Sequence, residues 1–186
     1  MRVGIAHHFG WAVAVVASSS EQVVDRRRID LVEPGVPVAP VHGLSHSSAV
    51  LSDDEVVALV ARVRASSARA VASALDDLPG PIVSMSLRAW PPDFPADVAT
   101  QRKVPYEARA DSVMYRQVLA EAARERGWEV HLFEARDVQS RAVALAGNVL
   151  DAPRAVFGAP WGKDHRMAFA ATILANRLAT PGQSSG

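Results

Sequence analysis

The sequence predicts an α/β fold, on three observations. Residues 2–32 are apolar, β-branched runs broken by turns, and residues 52–133 alternate helical with strand patterns. The last third closes on a strongly apolar helix behind Gly158-Ala159-Pro160-Trp161-Gly162-Lys163-Asp164-His165. A chain of 186 residues, 49% apolar and 22% charged, suits one domain with its own core, expected over residues 1–179, with a disordered tail at 180–186.

Val3-Gly4-Ile5-Ala6, the run Trp11 to Val16 and the segment Gln22 to Leu31 read as two or three antiparallel strands, with a turn at Ser18-Ser19-Ser20. Gly10 suits either a hairpin turn or a bulge in one long strand. Residues 33–50, punctuated by Pro and Gly, read as a surface loop. Ser52-Asp53-Asp54-Glu55 is a capping box, and Val56, Leu59, Val60 and Val63 continue it as a helix to about Asp76. Pro79-Gly80-Pro81 stops that helix; a strand from Pro81 to Leu87 follows and runs into the proline-stiffened loop 88–95. Pro105 suits the first turn of a second helix, ending near Arg126 with Gly127 as its cap. Trp128 to Phe133 alternates as a strand does, and Asp137 is placed to cap a short helix ending at Gly147. A loop around Pro153 leads to the final helix, from about Asp164 to Leu178.

Composition excludes several chemistries. Without cysteine there is no disulfide, thiolate metal site or cysteine nucleophile. The formal net charge is zero, which gives no global electrostatic support for nucleic acid or an anionic membrane, although a local groove can still be basic. No apolar run approaches the roughly 18 residues of a membrane span. His7 and His8 interrupt the apolar start, so no signal peptide is expected and the expected location is the cytoplasm. Patterns for a G-x-S-x-G elbow, a P-loop or H-E-x-x-H are missing, and Gly4 and Gly10 make no dinucleotide fingerprint.

In its middle the chain resembles the RuvC-type Holliday junction resolvases of the ribonuclease H-like superfamily. The resemblance lies in Ala108-Arg109-Ala110-Asp111-Ser112-Val113-Met114-Tyr115 running to Gly127, in Trp128-Glu129-Val130-His131-Leu132-Phe133, in Ala135-Arg136-Asp137-Val138-Gln139, and in the acidic helix start Asp164-His165-Arg166-Met167-Ala168. The chain is also similar to actinobacterial proteins of comparable length, which adds no function. The resolvase resemblance implies a mixed sheet of five strands, three antiparallel and then two parallel, with helices on both faces. It also implies two divalent metals held by carboxylates. The first-strand acid is expected near Ala6, His7 or His8, and the next at Ser84 to Arg88; none of these residues is acidic, and only Asp164 is well placed. A lone carboxylate cannot hold a Mg²⁺ pair.

Candidate site residues carry two readings each. Asp164 either ligands a metal or caps the last helix. His7 or His8 with Asp164 and His165 suits a borderline divalent metal, against one buried and one surface imidazole. Arg88, Trp90, Phe94, Trp161 and Lys163 flank the same expected cleft mouth; they either clamp a phosphate and stack a base or wall a hydrophobic loop. His42 and His46 belong to the loop. His131 is expected to face away from Val130 and Leu132, toward solvent or a helix edge. Arg26-Arg27-Arg28, close to Asp25 and Asp30, is expected to form cross-strand ion pairs or to guard a sheet edge. Glu107, Asp111 and Tyr115 share one helix face, solvated or catalytic. Three functions remain open: a diverged, non-nucleolytic binding or assembly module, including a homo-oligomer; a metal-dependent hydrolase with a remodelled His/Asp site; and a phosphate or small-ligand binder.

Overall fold

A computed structural model describes residues 1–42 and 51–179. The chain runs β1 (Arg2–His7), β2 (Trp11–Ala17), β3 (Val23–Asp30), α1 (Asp53–Asp76), β4 (Ser84–Arg88), α2 (Val98–Gln101), α3 (Glu107–Glu125), β5 (Glu129–Phe133), α4 (Val138–Ala146), α5 (Pro153–Phe157) and α6 (Lys163–Ala179). The strands form one sheet in the order β3-β2-β1-β4-β5. β1 pairs antiparallel with β2, and β2 with β3; β4 lies parallel to β1, and β5 to β4. This is the mixed sheet that the resemblance implies.

Strand alternation divides the core into two layers. Val3, Ile5, Ala12, Ala14, Met85 and Leu87 face α1 and α3, against Val63, Val71, Tyr115 and Leu119. Ala6, Val13, Val15 and Ala17 face α4 and α6, against Val138, Ala142, Phe169 and Ile173. Helices therefore cover both faces. Gly4 lets α6 lie directly on β1: a Cβ there would be 1.9 Å from the Ala168 carbonyl oxygen. Gly10 is a hairpin turn, not a bulge; its φ is +76°, and the His8 amide donates to the Trp11 carbonyl at 2.8 Å.

The α1 capping box forms as expected, Glu55 N–H to Ser52 and Glu55 carboxylate back to the Ser52 amide. At the end of α3, Gly127 takes φ +72°, the Gly127 amide reaches Arg124 O and the Trp128 amide reaches Ala123 O, the two bonds of a Schellman motif. Several expectations need correction. Pro105 precedes α3 rather than opening it, since Tyr106 is the N-cap. Asp137 holds the N-cap position of α4 but its side chain makes no capping bond. Pro153 opens a short helix instead of sitting in a loop. Two of the three arginines of β3 pair along their own strand, Arg27 with Asp25 at 2.7 Å and Arg28 with Asp30 at 3.7 Å, because residues two apart share a face and β3 is a sheet edge; Arg26 donates to the Phe157 and Pro160 carbonyls. His131 is mostly covered, its side chain 15% exposed and 3.4 Å from Glu129. His46 and the expected tail at 180–186 lie outside the described residues.

Candidate functional site

The parallel strands β1 and β4 end side by side, and the N-terminus of α6 faces those ends. Crevices outside the carboxyl ends of parallel strands are where α/β sheets bind ligands. Here the crevice is about 330 Å³, lined by Ile5, Ala6, His7, His8, Arg88, Lys163, Asp164 and Met167. Five of the residues singled out from the sequence thus meet in one cleft: His7, His8, Arg88, Lys163 and Asp164.

They do not play equivalent parts. His7 falls on the α3 side of β1, and its Nε2 is 3.0 Å from Ser112 Oγ. Arg116 donates to the same Oγ at 3.1 Å, so the Ser112 hydroxyl is shared between the ring and the guanidinium. Burial, then Arg116, Arg88 and His8, pulls the His7 pKa down to about 3. His8 follows the strand end, stacks on Trp11 with ring centres 4.2 Å apart, and meets Asp164 Oδ2 through Nε2 at 2.9 Å. Arg28 covers the Trp11 ring at 4.5 Å.

Asp164 is therefore engaged with His8, and His165 does the capping instead: its Nδ1 accepts the Gly162 amide at 3.3 Å. Burial and Arg26 lower the His165 pKa. Its ring packs on Trp161 and faces a neighbouring groove of about 480 Å³ with Trp11, Arg26, Arg28 and Pro160. Trp161 is 5% exposed and gives its indole N–H to the Leu150 carbonyl at 2.7 Å, so it belongs to the core and not to the cleft. Trp90 packs against the core with Arg116 6.0 Å from its ring, and Phe94 sits edge-on to Tyr106 at 5.7 Å; neither lines the cleft. Asp111 and Tyr115 prove to be loop anchors. The Asp111 carboxylate accepts the Val41 and His42 amides at 3.0 and 2.9 Å, and the Tyr115 hydroxyl donates to Val38 O at 2.7 Å. Burial pushes Asp111 up, against those two bonds.

Sequence reasoning missed Arg116. It is 5% exposed and bonds only to Ser112 and to the Arg88 and Ala89 carbonyls, which places a buried guanidinium beneath the end of β4. Burial, Arg88 and Arg109 draw its pKa down to about 10. Among the described residues Arg88, Lys163 and Arg116 form no ion pair.

A pair of hard divalent ions does not fit this donor set. It needs several carboxylates, whereas the cleft has one, bonded to His8 and flanked by cations. Among the described residues no three His, Asp or Glu side chains converge on a metal position. His7 is bonded to Ser112 on α3 and His165 to the Gly162 amide at the start of α6, while His8 holds Asp164.

No family model and no curated protein matches the chain. Among solved structures, the RuvC of T. thermophilus in complex with a Holliday junction substrate is similar at 17% identity and TM-score 0.52, over 96% of this chain and 94% of that one. A further Thermus thermophilus RuvC structure aligns at 15% identity and TM-score 0.47, over 96% and 95%. The likeness shows the fold, which is ribonuclease H-like.

Proposed function

We propose that this chain is a non-nucleolytic ribonuclease H-like binding module whose cleft holds a phosphate group without metal. One observation carries the reading: the cleft beside β1 and β4 offers two cations, Arg88 and Lys163, that form no ion pair among the described residues, where metal chemistry needs carboxylates. A guanidinium grips phosphate oxygens in a planar fork, and the amides at a helix N-terminus favour the same charge. The zero net charge does not oppose this, because the neighbouring groove carries Arg26 and Arg28 beside Trp11, which puts positive charge next to an aromatic ring. Nucleic acid, the substrate in the similar RuvC complex, is the partner this surface suits. Among the described residues no helix is long and apolar enough to cross a membrane, and we place the module in the cytoplasm.

The test is binding of a labelled oligonucleotide in EDTA, across a salt series, for the native chain, Arg88→Gln and Lys163→Gln. Native affinity should fall steeply with salt, and each substitution should reduce the logarithmic salt slope by about 1. The hydrolase reading has the His8–Asp164 pair in its favour. Mg²⁺- or Mn²⁺-dependent cleavage that disappears in Asp164→Asn would replace our proposal with it. Sizing at micromolar concentration tests the assembly arm, which calls for a dimer burying over about 1,000 Å².

A further inference from the structure

The phosphate-binding reading leaves open which phosphate the cleft takes, and the charges around it differ from those a nucleic-acid backbone needs. Among the described residues Arg88 and Lys163 line the cleft without carboxylate partners, and Arg116 lies behind Arg88, donating to the carbonyls of Arg88 and Ala89. Asp164 is the one carboxylate in the lining and is held by His8. His7 is bonded to Ser112 and, with its pKa lowered by burial, adds no charge. Three cations against one carboxylate leave an excess of two positive charges. One of the three is a guanidinium buried to 5% exposure with only neutral oxygens around it, which is a costly arrangement until an anion arrives. Ile5, Ala6 and Met167 supply the apolar part of the lining.

An internal phosphodiester brings one negative charge and two free oxygens. A terminal monoester brings about −1.5 to −2 at pH 7 and three acceptor oxygens. From this balance we infer that the cleft is selective for a dianionic phosphate monoester, at a nucleic-acid end or on a free nucleotide, over an internal phosphodiester. The inference rests on the phosphate-binding reading and narrows it.

The experiment uses the full chain in EDTA with one internally labelled oligonucleotide in three forms: 5′-phosphate, 3′-phosphate, and both ends hydroxyl. Unlabelled nucleoside monophosphate, nucleoside and inorganic phosphate serve as competitors. At least one phosphorylated form should bind tenfold or more tightly than the hydroxyl form, and that difference should vanish in Arg88→Gln. Arg88 is an exposed, cleft-lining cation, and the melting curve of Arg88→Gln verifies that the variant folds. Competition by the nucleoside monophosphate but not the nucleoside supports a free nucleotide as source; end-dependent binding without that competition supports a nucleic-acid terminus. Equal, salt-sensitive binding of all three oligonucleotides would overturn the monoester selectivity while leaving the broader proposal standing. No binding of any probe, with inorganic phosphate also failing to raise the melting temperature, would overturn both.

Discussion

His7 shows how one residue couples the cleft to the stability of the fold. It is hydrogen-bonded to Ser112 as a neutral ring, with burial first and then Arg116, Arg88 and His8 opposing its protonation. In the unfolded chain the same histidine titrates near 6.5, and in the folded chain near 3. As pH falls through that window the unfolded state takes up a proton that the folded state refuses. Stability is therefore complete above about 6.5, is lost progressively below it, and levels out below about 3, a loss on the order of 5 kcal/mol at full extent. His7→Gln removes this dependence. At pH 7 it should cost about 0.5–1.5 kcal/mol, the worth of one hydrogen bond; at pH 4 it should be as stable as the native chain or more so. Denaturant titrations of both proteins at pH 7, 5 and 4 check this, and parallel pH curves would show that the imidazole is not held neutral. Asp111 works in the opposite sense. Burial raises its pKa, so its ionisation opposes folding as pH rises, and the amides of Val41 and His42 offset that cost.

Among the elements, α6 does most to shape the cleft, because its N-terminus is aimed by how closely the helix lies on β1. That approach depends on Gly4. A methyl group 1.9 Å from the Ala168 carbonyl oxygen cannot be absorbed by a side-chain rotation, since the obstacle is backbone. Gly4→Ala should cost about 3 kcal/mol, lower the melting temperature by roughly 6–12 °C, and weaken phosphate binding by displacing Lys163. An unchanged melting curve would mean that α6 does not rest on β1. Long elements were legible from sequence for physical reasons: α1 repeats its apolar positions over 24 residues and carries a full capping box, and Gly127 marks the end of α3. Helices α2 and α5, with 4 and 5 residues, are too short to show a period. The site was half legible. His7, His8, Arg88, Lys163 and Asp164 sit at element ends, where position along the chain predicts position in space. Trp161 misled because adjacency to Lys163 in sequence says nothing about which way an indole turns. Arg116, mid-helix among apolar neighbours, gives no signal until α3 is laid against the end of β4.

For the whole molecule the decisive matter is which ligand stabilises the folded state. The chain has a sheet order of β3-β2-β1-β4-β5, a cleft at the ends of β1 and β4, and a helix that faces it. In this chain the same cleft is electropositive before any ion is added, so Mg²⁺ or Mn²⁺ would meet Arg88 and Lys163 at close range with a single, already bonded carboxylate to hold it. Anything that binds only the folded state raises its stability, by about 2.7 kcal/mol at one hundred times the dissociation constant. In a domain of 186 residues that amounts to roughly 5–10 °C. Melting curves in Mg²⁺, Mn²⁺ or Zn²⁺ should therefore coincide with those in EDTA, while a nucleoside monophosphate at saturating concentration should shift the native chain by that amount and leave Arg88→Gln unmoved. A metal-specific rise of the same size, lost in both His8→Ala and Asp164→Asn, would reverse the assignment and make the His8–Asp164 pair the start of a metal site. The same curves tell the two outcomes apart: a phosphate held by Arg88 shifts the melt without metal, whereas a metal held by His8 and Asp164 shifts it without phosphate.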